Sequence, residues 1–138
     1  MQIFFGGEAQ ELLAGFRFIR IACYDADRDE CYIVPLAFAL DGVDVMIAVG
    51  DGRLAALLAA NQARPGLEAD SIQPDFSYRT ITALAQPSEV TDPAERDKGL
   101  DLLQARYGDE WHIWRPPAPR RLFRLHLVDV QARVEEKS

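Results

Sequence analysis

Two extended apolar runs joined by Asp41 and Gly42 constrain this chain more than any other feature of its sequence. The runs read CYIVPLAFAL before the turn and VDVMIAV after it. A two-residue type I′ turn requires positive φ at both central positions, and Asp and Gly adopt such φ values at low cost. We therefore predict an antiparallel hairpin in which residues 36–40 pair with residues 43–49.

A glycine turn follows the second run and leads into a helix. Residues 50–52 read Gly-Asp-Gly and end the strand, and leucines at helical spacing predict a helix over residues 53–60. The first N–H groups of this helix, the positive end of its dipole and the guanidinium of Arg53 would all face one place. This arrangement is typical of an anion-binding site.

The rest of the chain indicates more strands and two further helices. Alternating apolar residues predict strands over residues 16–24, 78–85 and 122–130, and a short edge strand over residues 67–69. Residues 8–14 form a short predicted helix.

A longer helix is predicted from the capping signals that bound it. Asp92 is the N-cap, Pro93 the first helical residue and Glu95 the capping-box partner, and the helix should run to about Tyr107 with Gly108 as terminator. About six strands with short connections predict a mainly β, antiparallel barrel or sandwich with peripheral helices.

Composition limits the classes of protein that fit. The 138 residues are 49% hydrophobic, which suits a single domain over residues 1–138 with its own core. Fifteen basic and 22 acidic residues give a formal charge of −7, so general nucleic-acid binding is not expected. The apolar runs are too short to cross a membrane and the first residues do not resemble a signal peptide, so we expect a cytoplasmic protein that does not bind membranes.

Cys23 and Cys31 flank the acidic turn over residues 25–30. A hairpin about this turn would place the two thiols roughly opposite each other, which permits a disulfide, but a reducing cytoplasm favours two small buried thiols. The sequence holds no CxxC motif or His/Cys cluster, and the acidic turn lacks the glycine and the final glutamate of a calcium loop, so no metal site is predicted. His126 fits a surface or hydrogen-bonded histidine better than a haem ligand.

Several segments in order carry a resemblance to a known family. They read YIVPLAFALDG, GDGRLAALLAAN, YRTITALAQPSEVTDPAE and LFRLHLVDVQARVEE, and the match spans residues 16–134. This order resembles the FMN-binding split-barrel family related to pyridoxamine 5′-phosphate oxidase, especially its short nitroimidazole-resistance-type branch. The resemblance implies a six-stranded antiparallel split β-barrel with Greek-key character, assembled as a homodimer that binds FMN in clefts between subunits.

The resemblance also implies which residues hold FMN. They comprise a strand whose backbone faces the isoalloxazine ring, the end of the next strand beside the phosphate, a turn and basic residue on the phosphate, and a polar pair on a later strand. In that order they are Tyr32, Ile33, Val34, Pro35 and Leu36; Ile47 and Ala48; Gly52 and Arg53; and Arg79 and Thr80.

The chain departs from the family pattern around the implied phosphate. Ile47 stands where relatives place Thr or His, Asp51 adds a negative charge that could instead cap the helix, and Leu54 replaces a second basic residue. Asn61 and Gln62 stand where the family has Asn-Pro. Two functions therefore remain open: an FMN-dependent oxidoreductase acting on a small molecule, or a non-catalytic dimeric binding protein with a degraded cofactor site. A haem- or deazaflavin-binding relative is a third, and Trp111 and Trp114 could cover a flavin or fill an interface.

Overall fold

A computed structural model describes residues 1–60 and 65–136. The strands are β1 (Gln2–Phe5), β2 (Ile19–Asp25), β3 (Glu30–Leu36), β4 (Ala39–Asp41), β5 (Asp44–Gly50), β6 (Gly66–Ile72), β7 (Tyr78–Val90) and β8 (Arg120–Glu135). The α-helices are α1 (Gly6–Glu11), α2 (Arg53–Ala59), α3 (Pro93–Tyr107) and α4 (Trp111–Trp114), and two 3₁₀ turns lie at Leu12–Gly15 and Gly108–Glu110. Asn61 and Gln62, where the family pattern is broken, lie outside the described residues.

The strands form one antiparallel sheet in the order β3-β2-β6-β7-β8-β5-β4, with β1 also paired to β8. The mainly β class and the split-barrel fold are thus confirmed. The described residues hold eight strands rather than the predicted six, for two reasons. The long apolar run over residues 31–40 divides into β3 and β4, and Gln2–Phe5 adds β1 beside the end of β8.

The barrel is open between its two terminal strands. β3 and β4 stand at opposite ends of the sheet order, yet only Ala37 and Phe38 separate them in sequence, so the sheet curls until its ends approach. The hydroxyl of Tyr107 fixes this crossing: it accepts a hydrogen bond from the Phe38 N–H (2.9 Å) and donates one to the Arg17 carbonyl (2.7 Å). The sequence pattern alone could not show that the extended run is divided between β3 and β4, because residues 36–39 are all apolar.

β8 is the longest strand and holds the sheet together. Along one edge, residues 122–128 and 131–135 of β8 pair with β7. The other edge pairs with β5 through residues 120–125 and with β1 through residues 131–134. The prediction for residues 122–130 therefore found the centre of this strand and missed both ends.

The protein has two apolar cores, separated by the sheet. Val45, Ile47 and Val49 of β5 face the barrel interior, whereas Met46 and Ala48 face α3. This alternation follows from the two-residue period of a strand. The second core also contains Trp111, which stacks with Tyr107, while Trp114 packs on Phe18 with ring centroids 4.2 Å apart. Both tryptophans thus contact aromatic residues of their own chain.

The hairpin between β4 and β5 is present with a different turn from the one predicted. Asp41 pairs with Asp44, so the two-residue loop consists of Gly42 and Val43, and only Gly42 has positive φ (+62°). Glycine at the first central position is the pattern of a type II′ turn, which needs one left-handed residue rather than two. The predicted type I′ turn at Asp41 and Gly42 is therefore wrong by one position.

The strands beyond the hairpin also differ in part from their predictions. β6 lies between β2 and β7, not at an edge, because Pro65 and Pro74 fall outside its paired residues. β7 continues past Ala85 to Val90, and β8 is the only one of the described strands that pairs with it there, so the missing N–H of Pro87 interrupts no hydrogen bond to another described strand on its other side.

The capping predictions for α3 are confirmed. The Asp92 carboxylate accepts a hydrogen bond from the Glu95 N–H (3.1 Å), Pro93 begins the helix, and Gly108 ends it with φ +56°. Such signals depend only on neighbouring residues, which is why they are readable without a tertiary structure.

Both cysteines are free thiols on opposite faces of the β2–β3 hairpin. Cys23 pairs with Tyr32 and Cys31 with Tyr24, so consecutive pairs alternate between the two faces of the sheet. Cys23 points into the barrel, and burial raises the pKa of its thiol to about 11. Cys31 is exposed.

Candidate functional site

The residues predicted to face the flavin ring form an unpaired strand edge. β3 pairs with β2 alone among the described strands, so its outer edge presents free backbone N–H and C=O groups. Tyr32, Val34 and Leu36 pack against the barrel core, whereas Ile33 is 60% exposed and Pro35 also faces outward. An edge with free backbone groups beside apolar side chains suits a flat heteroaromatic ring.

The two predicted flavin-binding residues of β5, Ile47 and Ala48, can contact a ligand only through their backbone groups. The Ile47 side chain is fully buried in the barrel, and Ala48 packs in the core beneath α3. β4 pairs with β5 only through Asp44–Met46, so the edge of β5 that faces away from β8 is unpaired at both residues. The free edges of β3 and of this part of β5 therefore flank the open side of the barrel.

Arg53, the predicted phosphate ligand, already pairs with acidic side chains of its own chain. Its Nε donates to Asp25 Oδ2 (3.0 Å), its Nη2 donates to Glu30 Oε2 (3.0 Å), and its guanidinium lies 4.3 Å from the centre of the Tyr32 ring. Burial of Arg53 opposes its charged form, but the hydrogen bonds to the two carboxylates outweigh this and raise its pKa. The side chain thus fastens the start of α2 to the turn between β2 and β3.

The surroundings of this arginine are acidic. Asp51 and Glu89 pair with Arg121, at 3.4 Å and 2.7 Å. Four carboxylates therefore accompany two guanidinium groups near the turn between β5 and α2. Asp51 does not cap α2, as the N-cap is Gly52, whose N–H already donates to the Gly50 carbonyl (3.0 Å).

The residues present fit the ring of FMN but not its phosphate. The free edge of β3 fits the ring, because it provides the backbone groups and apolar surface that the ring requires. The phosphate seat does not fit a phosphate dianion, because its arginine is paired, a turn N–H is used and carboxylates are in excess.

Arg79 and Thr80 lie far from Arg53 within one chain. Arg79 pairs with Ser71 in the sheet and contacts Glu136 at 3.3 Å, at the end of β7 away from the β2–β3 turn. The sheet register puts about eight residue positions, roughly 25 Å along the strand direction, between Arg79 and Asp25. One ligand could reach both Arg53 and Arg79 only if a second copy of the chain supplied one of them.

Asp25 and Glu30 are the important residues that sequence reasoning missed. Both lie in the acidic turn predicted over residues 25–30, yet Asp25 is only 6% exposed, and it is the only buried charged residue in the described part of the chain. The available signal was periodicity. Ile19, Ile21 and Cys23 face inward, and Asp25 continues the same alternation.

The pair between Glu89 and Arg121 predicts an acid-sensitive contribution to stability. Hydrogen bonds from Arg121 lower the pKa of Glu89 below its ordinary value of 4.5, so this contribution is present above about pH 4.5 and lost as the pH falls through the folded-state pKa. We expect Glu89→Gln to destabilise the protein at pH 7 by up to about 1 kcal/mol, and the difference to shrink as the pH falls below about 4.5. Urea denaturation at each pH measures it. A difference that stays constant with pH would contradict this assignment.

The fold and site first define a class: an antiparallel β-barrel left open on one side, with an unpaired strand edge at the opening. A family model described as pyridoxamine 5′-phosphate oxidase matches residues 7–134, and the chain therefore belongs to that family. No curated protein matches the chain. In the described residues no helix has the length and apolar character to span a membrane, and no group of three or more His, Cys, Asp or Glu side chains is placed to hold a metal.

Solved structures share this fold at low sequence identity. A FAD-binding protein from Mesorhizobium loti is 20% identical, with a TM-score of 0.79 over 99% of this chain and 100% of that chain. A FAD-binding protein from Mycobacterium smegmatis is 17% identical, with a TM-score of 0.74 over 99% and 100%. A candidate 5-nitroimidazole antibiotic resistance protein from Bacteroides thetaiotaomicron is 12% identical, with a TM-score of 0.70 over 96% and 91%.

Proposed function

We propose that the protein is a flavoprotein that binds its flavin, FMN according to the sequence resemblance, at the open side of the barrel. The observation that carries the proposal is the unpaired edge of β3 opposite the unpaired part of β5. In this arrangement the backbone over residues 32–36 binds the polar edge of the ring, and Ile33 covers one of its faces. Membership of the pyridoxamine 5′-phosphate oxidase family and the likeness to FAD-binding proteins support a flavin.

The proposal includes a homodimer with the flavin between the subunits. Within one chain Arg79 and Thr80 cannot share a ligand with the β2–β3 turn, whereas a second copy could bring its own pair to that ligand. The outward faces of β2 and β3 also expose Tyr24 and Ile33, at 53% and 60%. Exposed apolar residues beside an unpaired edge are consistent with a surface that a second subunit covers.

As a proposed oxidoreductase, the protein would bind and orient the ring and shape access to it for a small-molecule substrate. A bound flavin supplies hydride and electron transfer, so no acid–base side chain of the protein is required for that chemistry. The residues of β3 and β5 exclude water from one side of the ring, because Val34 and Leu36 pack on the barrel core behind the edge.

The alternative is a dimeric flavin or ligand carrier without catalysis. The pairing of Arg53 with Asp25 and Glu30 favours it, because a site that has lost phosphate recognition is expected where a cofactor no longer turns over. The two functions differ in one observable property. An oxidoreductase with its flavin bound would catalyse repeated electron transfer from a donor such as a reduced nicotinamide to a substrate, and a carrier would not.

The first experiment is an absorption spectrum with a measurement of molecular mass. Purified protein is incubated with FMN, FAD or riboflavin, desalted and analysed by light scattering. We expect retained flavin bands, at about one flavin per subunit, on a particle with twice the mass of the chain. A monomer that retains none of the three compounds would contradict the proposed function.

A further inference from the structure

We infer that this chain recognises a flavin by its ring system and not by its 5′-phosphate, because Arg53 is committed to an internal clamp with Asp25 and Glu30. The inference rests on the proposed flavin site and specifies its ligand class. It assigns to the site isoalloxazine compounds with or without a terminal phosphate, so that riboflavin should bind as well as FMN.

The first support is the burial of Asp25. Its carboxylate receives the Nε–H of Arg53 at 3.0 Å and is 6% exposed. If Arg53 turned toward a phosphate, a buried carboxylate would lose its cation, and breaking a buried charge pair in this way is strongly unfavourable. The Tyr32 ring, 4.3 Å from the guanidinium, holds Arg53 in the same position.

The second support is the charge that an incoming phosphate would meet. Glu30 shares Arg53 with Asp25, and Asp51 belongs to the glycine turn itself. Arg121 is held by Glu89 through two hydrogen bonds, at 2.9 and 2.7 Å, as well as by Asp51. Both nearby guanidinium groups are therefore neutralised, and a phosphate with nearly two negative charges gains no net attraction.

The third support is the neutral character of the ring site. Over residues 32–36 of β3, where the ring is proposed to lie, the exposed groups are backbone amides, Ile33 and Pro35, none of which carries a charge. Such groups contact the ring equally whether its ribityl chain ends in a hydroxyl or a phosphate. Affinity is thus set at the ring, and the phosphate contributes either nothing or a repulsion.

The primary test is a fluorescence titration of the full-length protein with riboflavin and with FMN at low and high salt. We expect dissociation constants within about threefold of each other, or tighter binding of riboflavin. If the phosphate is repelled, FMN should bind more tightly at high salt, because salt screens the carboxylates. FMN binding at least tenfold tighter than riboflavin would overturn the inference while leaving the proposed function intact. Failure of both compounds to bind would reject both proposals.

A variant pair tests the clamp directly. Glu30→Gln removes one carboxylate from Arg53 at a side chain that is 56% exposed, so the fold is retained. In this variant we expect the affinity for FMN to rise several-fold relative to the affinity for riboflavin. The control Asp27→Asn removes the same charge from an exposed position in the same turn, and in the described structure the carboxylates that pair with Arg53 are those of Asp25 and Glu30. If the relative affinity for FMN rises equally in both variants, the cause is the overall loss of one negative charge and not the pairing of Glu30 with Arg53, and the proposed clamp is overturned.

Arg53→Ala separates a structural role from a binding role. We expect a lower thermal midpoint, because the link between α2 and the β2–β3 turn is lost. We also expect FMN to lose no more than about threefold in affinity relative to riboflavin, because Asp25 and Glu30 lose their cation but the phosphate loses no contact. A tenfold loss of FMN affinity without loss of riboflavin affinity would restore Arg53 as a phosphate ligand. If this variant does not fold, the Glu30→Gln result still decides the question.

Discussion

Phe123→Ala is expected to lower the free energy of unfolding by about 3–5 kcal/mol. Phe123 lies on β8 with its side chain fully buried inside the barrel, and it pairs in the sheet with Ile47 on one side and Glu89 on the other. The truncation removes the apolar contacts of a whole ring and leaves a cavity that the surrounding sheet cannot close, since its strands are fixed by their hydrogen bonds. Urea denaturation followed by circular dichroism measures the loss.

Phe5→Ala is the matched control for this prediction. It makes the same chemical change at a side chain that is 66% exposed on β1, so we expect a change of less than about 1 kcal/mol. A similar loss in both variants would mean that the barrel interior is not the main core. A loss below about 1.5 kcal/mol for Phe123→Ala would contradict the packing described above.

Gly99→Val is expected to destabilise the protein by about 2–3 kcal/mol. Gly99 is buried in the middle of α3, where glycine costs helix stability unless close packing requires it. A Cβ at this position would stand 2.8 Å from Leu122 Cδ2 and 3.2 Å from Met46 Sδ, so valine would push the helix away from β5 and β8. The effect should appear as a lower urea midpoint and weaker near-ultraviolet dichroism from Trp111 in the same core.

Ala105→Val tests whether helix propensity alone explains such a result. Ala105 is an exposed residue of the same helix, so the substitution carries the cost of a β-branched side chain without the contact. We expect a change of about 0.5 kcal/mol or less. If Gly99→Val is as stable as the original protein, α3 does not pack closely on the sheet.

The fold was predictable from sequence where the signals are local. Asp92, Pro93 and Glu95 define the start of α3 through neighbouring atoms only, and Gly42 requires a turn whatever surrounds it. The unpredicted parts depend on distant partners. The break after Leu36 follows from the curling of the sheet, and the position of β6 between β2 and β7 depends on strands that lie before and after it in the chain.

The candidate site was predictable in its backbone and not in its charges. The resemblance pointed to residues 32–36, and the structure places them on a free strand edge. It also pointed to Arg53, but the partners of that arginine come from a turn more than 20 residues earlier in the chain. The sequence shows that an arginine is present in the motif, but only the folded structure shows which carboxylates its guanidinium pairs with. The assignment of residues 32–36, of Ile47 and Ala48, and of Arg79 and Thr80 to the flavin stays a prediction.

The pairing of β8 has a consequence for synthesis on the ribosome. β1, β5 and β7 all precede β8 in the chain, yet each needs β8 as the hydrogen-bonding partner along one of its edges. β1 pairs with residues more than 120 positions downstream. At ordinary translation rates, β1 emerges roughly 6–25 s before its partner. During that interval the nascent chain carries unpaired strand edges and exposed apolar side chains, which are the surfaces that chaperones bind and that aggregate when crowded. The barrel is therefore completed only when its final strand has been made.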